Sequence, residues 1–248
     1  MRLPDYLIIG TMKGGTTILH DFICDHPNVV AAKQKEVHYF SLFYDRGESW
    51  YSDYFRDADS SVITGEASPT YFDMDAGGVI PRIIFRDIPK VKLILVVRDP
   101  VERAISHYNH YCVVNKLEYL QKMGPERFFN LPFSDALRCT TVEQTHLFHA
   151  LSFSCYSNRY NQYKSIFGKN LLVVTNQSLR KNPHAVMAQV QSHIGLEAVD
   201  SVRFEDVKYS AGTSTEQISA ETLRKLQAFL YPDYERFCES AGIEFTAV

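Results

Sequence analysis

Four short stretches of the chain, residues 6–9, 62–64, 91–97 and 171–175, read as continuous apolar runs without the polar alternation of a water-facing strand. Such runs belong to strands covered on both faces, as in a parallel sheet. Between them apolar residues recur at helical spacing. Ile18, Leu19, Phe22 and Ile23 share a face after the first run, and Val101, Ala104, Ile105, Tyr108 and Cys112 share one after the third. Leu223, Leu226, Phe229 and Leu230 mark a C-terminal helix. Strand and helix in alternation predict an α/β fold, a doubly wound parallel sheet flanked by helices. Ligands of such sheets bind beyond the carboxyl ends of the strands, so the loops after these strands are where function is sought.

The 248 residues suit one domain spanning 1–248. Residues 115–154 show broken helical patterning and no clear strand, which reads as a helical insertion over the active site or as a plain helical annex. With 45% apolar and 22% charged residues, the chain can bury a sizeable core, which excludes disordered and low-complexity classes. A net charge of −3 provides no global basic field, so neither nucleic acid nor an anionic membrane is an expected partner. The five cysteines lack metal-finger spacing, and their odd number fits a reduced compartment. The apolar run near residue 7 is too short for a signal peptide or a membrane span, and the expected location is cytoplasmic. The oligomeric state is not readable.

The first run leads into Gly10-Thr11-Met12-Lys13-Gly14-Gly15-Thr16-Thr17, a strand, a glycine-rich loop and a helix start. Glycines let several N–H groups turn inward as an anion nest, and the helix adds its own free N–H groups and positive dipole end. Thr16 and Thr17 offer hydroxyls and Lys13 a full charge, so the loop suits a phosphate or a sulfate. It is neither G-x-x-x-x-G-K-[ST] nor G-x-G-x-x-G, because the lysine precedes the double glycine and the glycines are differently spaced. After the third run come Arg98-Asp99-Pro100. Asp99 suits a helix N-cap and Pro100 the first helical position, leaving Arg98 at the strand's end, where a bidentate phosphate contact is natural. Ser106 can reach the same anion. Arg103, Ser106 and His110 fall on one helical face apart from the apolar stripe, and Arg103 is expected to pair with an acidic neighbour.

Two anion sites on strand ends call for a ligand with two separated anionic groups. The pair Lys13-Gly14-Gly15-Thr16-Thr17 and Arg98-Asp99-Pro100-x-x-Arg103-x-x-Ser106 resembles the two cofactor signatures of sulfotransferases that use 3′-phosphoadenosine 5′-phosphosulfate (PAPS). The likeness is to the carbohydrate branch, particularly the heparan sulfate glucosaminyl sulfotransferases and their bacterial relatives. It covers about 6–108 and 156–183. The resemblance implies a P-loop-like sheet. It implies that the first loop holds the 5′-phosphosulfate and that Arg98 and Ser106 hold the 3′-phosphate. It also implies that Glu36, in Lys35-Glu36-Val37-His38-Tyr39-Phe40, is the general base, with His38 supporting it. A carboxylate in that role takes the acceptor's proton as the new bond forms. Lys13 then stabilises charge on the leaving oxygen, a scheme that requires no metal. The implied acceptor is a small molecule or a glycan, bearing a hydroxyl or an amine.

The sequence departs from these relatives in two places. Many carry a lysine where Ala67 stands, in Thr64-Gly65-Glu66-Ala67-Ser68-Pro69. The glucosaminyl enzymes close over the 3′-phosphate with a disulfide-bearing loop, whereas residues 207–214, read as a lid, offer Lys208 and no paired cysteines. Two other readings stand beside this one. A phosphotransferase with an aberrant P-loop would need Mg²⁺ and an acid at a buried strand's end. A non-catalytic nucleotide- or glycan-binding module would need neither Lys13 nor Glu36.

Overall fold

The computed structural model describes residues 1–75, 77–133, 138–197, 199 and 218–245. They fall into two compact units, Met1–Arg98 with Arg159–Val207, and Asp99–Asn158 with Lys208–Val248.

The first unit holds a five-stranded sheet of β1 (Tyr6–Gly10), β2 (Val29–Ala31), β3 (Ile63–Ala67), β4 (Lys92–Val97) and β5 (Leu171–Thr175). Their order is β2-β3-β1-β4-β5 and every pairing is parallel. Parallel neighbours need crossovers, and helices supply them. Helix α1 (Thr16–Cys24) follows β1, and the helices Asn176–Lys181 and Pro183–Ile194 follow β5. One face of the sheet, including Tyr6, Ile8, Ile94, Val96 and Val174, packs on Leu19, Phe22, Ile23, Val186, Val190 and Ile194. The alternate residues Leu7, Ile9, Leu93, Leu95 and Val97 are buried too, so the strands are covered on both faces as their continuous apolar character requires. The sheet is the doubly wound, helix-flanked one expected.

The strands differ from the expectation at two points. β2 lies outside the four apolar runs; it is a three-residue edge strand with Val30 exposed. β3 runs on from 63 through Gly65, Glu66 and Ala67, and Glu66 is wholly enclosed.

The second unit is helical where described. The helices Pro100–Val113, Glu118–Met123, Pro125–Phe129, Val142–Ser152 and Ala220–Ala241 surround a core that includes Val101, Ile105, Tyr108, Leu120, Phe128, Leu147, Leu226 and Leu230. Where described, the 115–154 segment is mainly helical, and Gly124, with a positive φ of 77°, separates two of its short helices. Among the described residues no helix is long and apolar enough to cross a membrane.

Candidate functional site

The chain leaves β1 into a tightly folded loop. Thr11 donates its N–H to the Val96 carbonyl at 2.7 Å and its hydroxyl to the same oxygen at 3.1 Å, tying the loop to the carboxyl end of neighbouring β4. Gly14 N–H returns to the Thr11 carbonyl at 2.9 Å, and Met12 N–H reaches Asp73 Oδ2 at 2.6 Å. Lys13 (φ 67°) and Gly15 (φ 112°) lie in the left-handed region. Alternating handedness of this kind curls backbone N–H groups around an anion. At Gly14 the packing leaves no choice of residue, because a Cβ would lie 2.5 Å from the Val96 carbonyl oxygen. Gly15 caps α1 without a side-chain bond, which leaves the first-turn N–H groups and the positive dipole end available to a ligand. Asn176, buried just after β5, donates to the Gly14 carbonyl at 2.8 Å and fixes the loop from a third strand.

Glu36 and His38 stand beside this loop. Lys35 Nζ donates to Thr17 Oγ1 at 2.9 Å and lies 3.6 Å from Glu36 Oε1. His38 Nε2 lies 3.3 Å from Glu36 Oε2. The acid is thus held between an ammonium and an imidazole, with its side chain 29% exposed and reachable from solvent. Burial pushes the His38 imidazole below its ordinary value, with Lys35 adding to the effect and Glu36 opposing it. The chain reaches this point through a left-handed His38 (φ 57°), a strained conformation for a residue other than glycine.

A buried polar cluster secures that strained turn. His38 N–H donates to Ser68 Oγ at 2.9 Å, and Ser68 donates to Glu66 Oε2 at 2.6 Å. The other oxygen, Glu66 Oε1, accepts from the Tyr51 and Tyr71 hydroxyls. Burial raises the Glu66 carboxyl above its ordinary range, while these donors and the Val37 N–H pull it down. Ala67, one of the two places where the sequence departs from the resemblance, is enclosed in the core.

Arg98 follows β4 and is buried. It comes two residues after Val96, the carbonyl that anchors Thr11, so the glycine loop and Arg98 belong to the carboxyl ends of adjacent strands. In the second unit Asp99 caps the next helix as its sequence predicts: Oδ1 accepts from Val101 and Glu102 N–H at 3.0 and 2.9 Å, and Pro100 opens the helix. Ser106 is half-buried on that helix. Arg103 corrects the sequence reading. It is wholly enclosed, not on a polar face, and it donates to Ser154 Oγ at 2.7 Å and to the Ala150 carbonyl. The 207–214 lid lies outside the described residues. Sequence reasoning assigned no role to Lys35, Ser41, Thr70 or Asn176. Only Lys35 carried a signal, its place directly before Glu36.

Within the first unit, then, backbone and cationic groups for an anion meet an acid and an imidazole tied to the same loop. That is a P-loop-like group-transfer layout. The chain belongs to the sulfotransferase domain family, whose model matches residues 3–231. It is 30% identical over 253 residues to the human bifunctional heparan sulfate N-deacetylase/N-sulfotransferase 2, covering 94% of this chain and 27% of that one. It is 29% identical over 267 residues to the Mus musculus heparan sulfate glucosamine 3-O-sulfotransferase 6, covering 98% and 73%. The chain thus spans about a quarter of the bifunctional relative's length. Its fold matches a sulfotransferase from Alicyclobacillus acidocaldarius with a TM-score of 0.77 at 21% identity, over 99% of this chain and 98% of the other.

Proposed function

We propose that the chain transfers a sulfuryl group from PAPS to a hydroxyl or amine on a carbohydrate or other small metabolite. The observation that carries the reading is the Lys35 bridge, which ties the Glu36 segment to Thr17 in the first turn of α1. It sets a solvent-reachable acid beside a backbone nest suited to a phosphosulfate. The Gly14–Thr17 backbone and the Thr16 and Thr17 hydroxyls hold the 5′-phosphosulfate, and Arg98 takes the 3′-phosphate.

In the transfer, the acceptor oxygen or nitrogen bonds to sulfur as the sulfur–oxygen bond to adenosine 3′,5′-bisphosphate breaks. Glu36 takes the acceptor's proton, help typically worth about 10²–10⁴ in rate. Lys13 stabilises the negative charge that grows on the departing oxygen, a charge larger in the transition state than in bound donor. Charge neutralisation by Lys13 and the backbone nest gives the scheme no step that calls on a metal. Asp99 bears on the phosphotransferase alternative: the acid nearest the end of the best buried strand is engaged as a helix cap.

The relatives named for N- and 3-O-sulfation of heparan sulfate support a carbohydrate acceptor. The experiment is incubation with PAPS and a panel of glycans and metabolites, read by mass spectrometry for the added sulfuryl group. A sulfated product that forms with the wild type and not with Glu36→Gln supports the reading. Transfer from ATP, abolished by a chelator, would replace it.

A further inference from the structure

His38 has a polar neighbour at each ring nitrogen, a hydrogen bond at Nδ1 and a carboxylate at ion-pair distance from Nε2, and the two partners differ in what they can do. Nε2 faces Glu36 Oε2 at 3.3 Å, and a carboxylate only accepts. A neutral imidazole has one N–H donor and one acceptor nitrogen, so the proton sits on Nε2 and Nδ1 must accept. Nδ1 lies 2.8 Å from Thr70 Oγ1, which therefore donates its single hydroxyl hydrogen to the ring. Ser41 Oγ lies 2.7 Å from the same Thr70 oxygen. Since the Thr70 hydrogen is committed, Ser41 donates there, in preference to the longer 3.4 Å approach to the His38 carbonyl. The proton order follows from the carboxylate at the end: Ser41 donates to Thr70, Thr70 donates to His38 Nδ1, and the Nε2–H side of the ring faces Glu36. Thr70 is buried, so water does not readily replace its hydroxyl. The burial that lowers the imidazole's proton affinity favours the neutral ring this chain requires.

We propose that Thr70 and Ser41 are positioning residues for the transfer, locking His38 as the Nε2–H tautomer so that it donates to Glu36 Oε2 and turns the carboxylate toward the acceptor. The proposal rests on the reading of Glu36 as general base. His38 occupies a left-handed turn, and its ring is fixed from one side by Ser68 through the backbone and from the other by Thr70. With Oε2 engaged by His38 and Oε1 near Lys35, the Glu36 carboxylate is restrained at both oxygens. A valine at 70 keeps the shape and removes the donor, whereas a serine keeps the donor and removes a methyl group.

The test uses the full chain, uniformly ¹⁵N-labelled, with the His38 ring signals assigned by their loss in His38→Asn. Long-range ¹H–¹⁵N correlation should show His38 as Nε2–H in the wild type, with the Nδ1 resonance displaced in Thr70→Val and restored in Thr70→Ser. Turnover should follow the same order. Thr70→Val should lower kcat about tenfold, the scale of one hydrogen bond, with bisphosphate binding unchanged. Thr70→Ser should recover most of that, and Ser41→Ala should cost about threefold. Retained thermal stabilisation by the bisphosphate identifies Thr70→Val as folded. An Nδ1–H tautomer in the wild type overturns the chain whatever Glu36 does. Equal loss in Thr70→Val and Thr70→Ser reduces Thr70 to a packing residue and overturns the proposal. A fully active Glu36→Gln with the Nε2–H tautomer in place instead overturns the functional reading on which the positioning role rests.

Discussion

Lys35 donates to the Thr17 hydroxyl across 2.9 Å, joining the segment that carries Glu36 to the first turn of α1. The same ammonium lies 3.6 Å from Glu36 Oε1, so one cation serves both the anion loop and the acid. Lys35→Met keeps the aliphatic stem and removes the charge. Hydrogen bonds to a charged group are worth about 1.5–3 kcal/mol, so transfer should fall roughly 10- to 100-fold. Steady-state kinetics with varied PAPS checks this, and an unchanged kcat/KM for the donor would dismiss Lys35 as a surface residue.

Glu36→Gln preserves size while abolishing proton acceptance. Turnover should drop by about 10²–10⁴, the usual range for general-base help. Adenosine 3′,5′-bisphosphate at about 100 times its Kd should still stabilise the variant by roughly 2.7 kcal/mol. His38→Ala should be milder, since the imidazole supports the acid. The reverse ranking, a nearly active Glu36→Gln and a dead His38→Ala, would move the base to His38.

The parts legible in the sequence were those whose cause is local. Asp99 and Pro100 announce a helix start because one carboxylate and one fixed φ suffice to make it. The 13–17 loop is legible because glycine alone tolerates what Gly14 and Gly15 are asked to do. β2 was hidden because three residues at an edge carry almost no pattern, and the end of β3 because Glu66 looks polar until Tyr51, Ser68 and Tyr71 enclose it. Asn176 and Thr70 were invisible for a related reason. Each acts on a residue far away in the chain, Asn176 on Gly14 and Thr70 on His38, and only the fold makes them neighbours. Arg103 misled because helical periodicity set it on a polar face, while Ser154 and the Ala150 carbonyl made it a core residue.

Glu66 makes stability depend on pH in a defined direction. Burial raises its carboxyl above the ordinary 4.5, so the native state binds its proton more tightly than the unfolded chain. By linkage, this contribution is fully present below pH 4.5 and lost as pH rises through the native value. Glu66→Gln lacks that slope. It should be less stable than the wild type by about 1–3 kcal/mol, since an amide satisfies fewer of the four donors. The gap should narrow as pH rises above 4.5. Urea denaturation at several pH values measures it, and a constant or widening gap contradicts the assignment.

Asn176→Ala removes the donor to the Gly14 carbonyl and leaves a buried oxygen short of a partner. The cost should be about 1–3 kcal/mol of stability. Because that bond braces the anion loop, calorimetry should also show weaker bisphosphate binding. Destabilisation with unaltered affinity would mean that the loop holds its shape without the brace.

Arg98 distinguishes the two proposed anion sites, because it follows β4 while the glycine loop follows β1. If it reads the 3′-phosphate, Arg98→Ala should weaken adenosine 3′,5′-bisphosphate far more than adenosine 5′-monophosphate, which lacks that group. Loss of a charge-assisted contact of about 1.5–3 kcal/mol predicts roughly a 10- to 100-fold rise in Kd for the bisphosphate. The monophosphate, held through its 5′-phosphate by the 13–17 backbone, should change by less than about threefold. Thermal denaturation of unliganded protein controls for folding, since Arg98 is buried and its removal can also loosen the strand end. Equal weakening of both ligands in a folded variant would show that Arg98 supports the strand end and does not recognise the 3′-phosphate.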